Sequence, residues 1–201
     1  HDALASLRLA NESPDAPREV RFEAARTQLN LGGVLLAAQR IDEGRREVES
    51  GVAALESLAA AVDDPIYARE LGRGIAILGY ARSLVGQTEA AIAVYRRAAE
   101  LFARLATQFP RVPDYRFERA KALDNIAGLI ESARGLAAGG ADRDAARAIY
   151  RQLSAEHPDV DEYRHRLARS LNRHAALAEQ QGQPDAAAAA LREALPLLER
   201  L

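Results

Sequence analysis

The sequence predicts an all-α protein built as an α-solenoid of stacked helical hairpins. Three observations carry that prediction. A phrase that ends one helix and starts the next recurs: LATQFPRVPDYR begins at Leu105, LSAEHPDVDEYR at Leu153, and LANESPDAPREVR at Leu9. Helix-opening positions Pro17, Pro65, Pro113 and Asp161 follow a constant period of 48 residues. Within a unit, apolar and small residues keep helical spacing, as in Leu167, Leu171, Ala175 and Ala178.

The elements follow from local chemistry. Pro or Asp opens the first helix of each unit, where a missing N–H or a capping carboxylate is tolerated. Turns come next at VGQTEAA (85–91) and QGQPDAA (181–187). Gly86 and Gly182 are expected in the left-handed conformation that closes a helix. Thr88 is expected to cap the following helix, and Pro184 to sit in its first turn. A second helix is predicted over residues 90–109, and Pro110 stops it. The third unit gains residues at GLAAGGADRD (135–144) and loses about two turns from its second helix, so the period is kept. The predicted units are a trailing helix over 1–16 and repeats over 17–64, 65–112, 113–160 and 161–201, all in one domain. Tyr67, Tyr115 and Tyr163 recur with the joint. Each ring is expected to pack on the second helix of the preceding unit with its hydroxyl near the surface.

These residues resemble the tetratricopeptide-repeat family and its longer-helix relatives. Leu78–Gly79, the turn residue Gly86, and the series Ala91, Tyr95 and Ala98 carry the likeness in the second unit. The fourth unit adds Ala175, Gly182, Ala187, Leu191 and Ala194, and the first adds Leu31–Gly32. The units exceed the usual ~34 residues. The segment YRHRLARSLNRHAAL (163–177) is also similar to repeat regions that follow kinase domains in some large bacterial proteins. The resemblance implies a right-handed solenoid whose first helices line a concave face. One hairpin cannot bury its apolar stripe alone, so stacking is what stabilises it.

Composition narrows the function classes. The 201 residues carry a net charge of −2, which offers no strong field for nucleic acid or an anionic membrane. The chain has no Cys, which rules out disulfides, thiolate catalysis and Cys-ligated zinc. It also has no Met, and lack of both sulfur residues fits an exported protein. All 27 basic residues are Arg except Lys121. His157, His165 and His174 lack the spacing of a helical zinc site. No G-x-S-x-G or P-loop occurs, and GRGIAILG (72–79) lies inside a predicted helix, where its glycines admit close packing. The expectation is therefore a protein without catalytic residues, cofactor or metal, whose partners are proteins, peptides or further copies of itself.

Two candidate surfaces emerge. The first-helix segments (18–40, 66–85, 114–134, 161–179) hold 15 basic and 10 acidic residues. The family resemblance implies a clamp for peptide carboxylates there. Asn125, Arg169 and Arg173 fall on three clamp positions, Ala76 and Tyr80 on the two that do not fit, and Arg73 and Lys121 occupy neighbouring inner positions. The second candidate is end-to-end stacking. Leu201 follows Leu9 by four periods, so the chain is expected to begin and stop in mid-phrase. The candidate contact residues are Leu4, Leu7 and Leu9 with Leu195, Leu197, Leu198 and Leu201. Such a head-to-tail contact builds rings or filaments.

Overall fold

A computed structural model describes residues 16–199. The described residues are helical throughout, with no strand among them. The helices are α1 (Arg18–Ala37), α2 (Ile41–Ala61), α3 (Pro65–Leu84), α4 (Thr88–Gln108), α5 (Pro113–Arg134), α6 (Gly140–Glu156), α7 (Asp161–Gln180) and α8 (Pro184–Leu198). Consecutive helices pair as antiparallel hairpins: α1 with α2, α3 with α4, α5 with α6, and α7 with α8. The all-α repeat class read from the sequence is the class the chain adopts. Two compact units divide it, one ending at Pro110 and the other beginning at Arg111.

In the first unit, α3 packs on both α1 and α2, so the second hairpin stacks on the first. Backbones meet closely where side chains vanish. A Cβ on Gly44 would lie 2.8 Å from the carbonyl oxygen of Gly32, and one on Gly51 would lie 2.9 Å from that of Ala25. These contacts draw α1 and α2 together. Within the second hairpin, Gly79 receives the face of the Tyr95 ring and Gly72 the tip of Phe102. The core joins Leu29, Leu36, Val48, Leu55, Leu58, Ile75 and Phe102, all buried. Burial pushes the Tyr95 hydroxyl well above its ordinary range of ionisation.

The second unit repeats the plan with a different turn. Gly135 (φ 94°) ends α5, and a 3-10 turn over Leu136–Gly139 leads into α6. A Cβ on Gly139 would stand 2.6 Å from the Ala127 carbonyl oxygen, so this turn lies directly on α5. Helix α6 is 17 residues long against 21 for α4: it ends about two turns sooner after Tyr150 than α4 does after Tyr95, and it starts about one turn earlier. Tyr150, Leu153, Ile126 and Leu171 form the centre of this core.

Several local expectations hold. Gly86 and Gly182 take positive φ (72° and 69°), and Pro184 opens α8. Others are corrected. Thr88 is the first helical residue of α4, and Gln87 holds the cap position without a side-chain bond. Asp161 likewise lies inside α7, after the cap residue Val160, and its carboxylate takes a hydrogen bond from Arg164 at 2.5 Å. Two joint tyrosines find their ring partners on preceding first helices, and Tyr163 also meets His157, the residue that ends α6, at 6.1 Å. Tyr67 stacks on Phe22 of α1 at 5.1 Å and Tyr163 on Phe117 of α5 at 4.9 Å, both on preceding first helices. Phe22 on α1 and Phe117 on α5 each give the next tyrosine a ring to tilt against. Phe117 also meets Tyr150 edge-on at 6.0 Å, so one ring serves both core and joint.

Candidate functional site

The inner-face cations sit on three helices. Arg73, on α3 of the first unit, lies 3.0 Å from Glu70 and donates to the Asn30 side chain of α1. Lys121 and Asn125 lie on α5, and Arg169 and Arg173 on α7, all in the second unit. Lys121 pairs with Glu118 at 2.7 Å and covers the Phe117 ring at 5.2 Å. Asn125 and Arg169 are exposed. Arg173 reaches Glu131 of α5 at 2.6 Å. Arg73, Lys121 and Arg173 thus each hold a carboxylate of their own unit.

Glu131 is the centre of a cluster that sequence reasoning missed. Its side chain is only 3% exposed, yet two guanidinium groups grip it. Arg143 of α6 forks onto it, Nη2 to Oε2 at 2.9 Å and Nε to Oε1 at 3.2 Å. Arg173 of α7 approaches from the other side, with Nε 2.7 Å from Oε2. Arg143 also donates to Asp124. Two carboxylates and two guanidinium groups balance, which is the condition under which charges survive burial. Burial alone would weaken Arg143 as a cation, but the hydrogen bonds to Glu131 and the field of Asp124 outweigh it and raise its pKa. A cleft beside the cluster is lined by Leu136, Arg147, His174 and Leu177. One signal was present in the sequence. Glu131 follows Ala127 by one helical turn, on the buried side of α5, where an acidic residue requires a buried cation.

A second groove lies in the first unit, between the C-terminal parts of α2 and α4 and the start of α3. Ala59, Ala60, Ala68, Leu71, Leu101 and Leu105 line it, and the Glu56–Arg97 pair (2.5 Å) borders it. Neither depression gathers an acid, a base and a nucleophile. Among the described residues, no group of three or more His, Asp or Glu is placed to hold a metal ion, and no helix is long and apolar enough to cross a membrane.

The end-contact candidates divide. Leu4, Leu7, Leu9 and Leu201 lie outside the described residues. Leu195 and Leu198 are 59% and 42% exposed on α8, Leu197 is half-buried beside them, and Leu191, one turn earlier, is 49% exposed. Only Ala187, Ala190 and Ala194 of this helix are buried. The bare leucines gain meaning from α2. Counted from the cap residues Arg40 and Gln183, Leu191, Leu195 and Leu198 stand where α2 has Val48, Val52 and Leu55. Those three are buried, and Val52 packs against the Gly74 position of α3 in the following hairpin. The face of α8 that would receive a following hairpin is therefore apolar and bare.

No protein-family model matches the chain, and no curated protein matches it either. Solved structures do. The crystal structure of BtubC (BKLC) from P. vanneervenii superposes with a TM-score of 0.64 at 17% identity, covering 98% of this chain and 70% of that one. MamA MSR-1 C2 gives a TM-score of 0.49 at 21% identity over 99% of this chain and 87% of its own. At such identities the likeness to BtubC is one of fold, and it places the chain among helical-repeat proteins.

Proposed function

We propose that this protein is a non-enzymatic assembly scaffold, a long-repeat relative of the tetratricopeptide class, that associates with further copies of itself through its solenoid ends. One observation carries this reading: the three exposed leucines of α8 stand at positions that are buried on α2, where Val52 meets the following helix α3. Fully burying a leucine contributes about 1.5–3 kcal/mol, so three half-exposed leucines leave roughly 3 kcal/mol unrealised. A second copy is a natural source of a helical face of matching spacing, because the repeat makes such faces. The test is light scattering over a concentration series, with wild type beside Leu195→Glu. Mass should rise with concentration in the wild type and stay monomeric in the variant at equal helicity. A wild type that remains monomeric at the highest soluble concentration would refute the scaffold.

Peptide capture on the first-helix face is the second reading, supported by exposed Arg169 and Asn125. It requires Arg173 to leave Glu131 for the incoming carboxylate. The double change Arg169→Glu with Arg173→Glu should abolish binding of a C-terminal peptide library. Retained binding would remove the clamp.

A further inference from the structure

The α8 stripe needs a partner surface, and the repeat itself supplies a pattern for it. On α3, the face turned to the preceding hairpin is defined by contacts: Tyr67 meets Phe22, and the Gly74 position meets Leu29 and Val52. Glu70, Gly74, Leu78 and Ala81 follow at helical spacing and are buried. Counted from the cap residues Pro17 and Asp64, the same positions on α1 are Glu23, Thr27, Leu31 and Val34, with Val20 in the place of Tyr67. None of these α1 residues is buried. Val34 is 65% exposed where Ala81 is 0%, and Val20 is 49% exposed. Four further buried positions of α1 (Ala24, Ala25, Gln28 and Gly32) match buried positions of α3 (Leu71, Gly72, Ile75 and Gly79), whereas buried Leu29, Leu35 and Leu36 fall on half-buried Ala76, Arg82 and Ser83. The two helices therefore share part of one buried face and differ on the joint face, which is buried on α3 and open on α1.

Resting on the scaffold reading above, we infer that the α1 face of one copy, centred on Thr27 and Val34, docks on the α8 stripe of a second copy. It would occupy the place that α3 takes on α2. The joint is continuous with one the chain already makes: small or short residues on the incoming helix, Leu and Val on the receiving one. It is also heterologous. One copy presents α1 and the other α8, so each docked molecule retains one unused face and growth continues.

Two variants and their mixture test the inference. Val34→Glu spoils the α1 face and leaves α8 intact, and Leu195→Glu does the reverse. Each should be monomeric alone, with wild-type helicity, because both sites are exposed. Mixed in equal amounts, intact α8 faces meet intact α1 faces, and the mass should double to a dimer that grows no further. If wild type assembles while Val34→Glu assembles equally well, the α1 face is not the partner, and α8 pairs with itself or another surface. If the mixture stays monomeric while wild type assembles, the inference is likewise overturned. A monomeric wild type would instead refute the scaffold reading itself.

Discussion

Replacing Arg143 with leucine tests the buried ionic cluster. The change removes two hydrogen bonds to Glu131 and the one to Asp124. Glu131 remains 97% enclosed as a side chain, with Arg173 as its surviving cation, and Arg173 is itself 49% exposed. Stripping one partner from a buried pair costs about 3–5 kcal/mol, mostly the cost of a buried charge left uncompensated. Since Arg173 stays, the lower end applies, about 3 kcal/mol. Replacing Glu131 as well removes the charge that was stranded. Asp124 is more open, at 19% exposure, and recovers part of its hydration. Arg143→Leu with Glu131→Leu should therefore be more stable than Arg143→Leu alone by about 2 kcal/mol, with the two carbons packing against Leu136. Urea titrations followed by helical circular dichroism at neutral pH, on both single variants and the double, give the coupling. If Arg143→Leu costs under about 1 kcal/mol, or the double loses the sum of the singles, the cluster is a solvated surface pair and the reasoning fails.

Two glycines should respond in opposite directions. Gly79→Ala places a Cβ 3.0 Å from three atoms of the Tyr95 ring and should cost about 1–3 kcal/mol. Gly33→Ala meets nothing within 4 Å in mid-helix and should gain about 0.5–1 kcal/mol. Paired thermal melts check both. Hydrogen bonds from Arg116 and Gln152 hold the Glu156 carboxyl down at about 2, below its ordinary value. A depressed carboxylate stabilises the fold above its unfolded pKa and loses that contribution as pH falls through the folded one. Glu156→Gln should thus lower stability at pH 7 by under 1 kcal/mol, since the group is open to solvent, and should flatten the acid limb between pH ~5 and ~2.

Much of the fold was legible because repeat proteins state it several times. Pro65, Pro113 and Pro184 are costly in a helix interior and lie at helix starts, although Pro196 lies inside α8. Gly86 and Gly182 sit where only a left-handed residue closes a turn. What failed was local choice between near-equal options. Thr88 and Asp161 are each good caps, but the chain enters α4 and α7 one residue earlier, and Arg164 takes the Asp161 carboxylate. The spacing places a tyrosine ring at each joint without naming the ring it meets across it. Phe22 and Phe117, which receive those rings, do not share one phase of the 48-residue period, so they carried no repeat signal. The Glu131 cluster was hidden for a related reason. Arg143 follows the irregular turn at 135–139, where the periodic register breaks.

The candidate surfaces differ in what binding would have to undo. At the first-helix cations, a ligand carboxylate competes with Glu118 or Glu131, already 2.7 and 2.6 Å from Lys121 and Arg173. It exchanges one ion pair for another, and the net gain is small unless the displaced Glu131 finds new partners in a nearly closed site. At α8 nothing is displaced. Water leaves three leucines, and the receiving geometry is one the chain already builds at Val48, Val52 and Leu55. Even so, roughly 3 kcal/mol from the stripe is smaller than the translational and rotational cost of joining two molecules. The pairing inferred above adds the α1 side, where Val20 and Val34 are equally bare. On that pairing α1 and α8 form one interface, so disabling either face should abolish assembly.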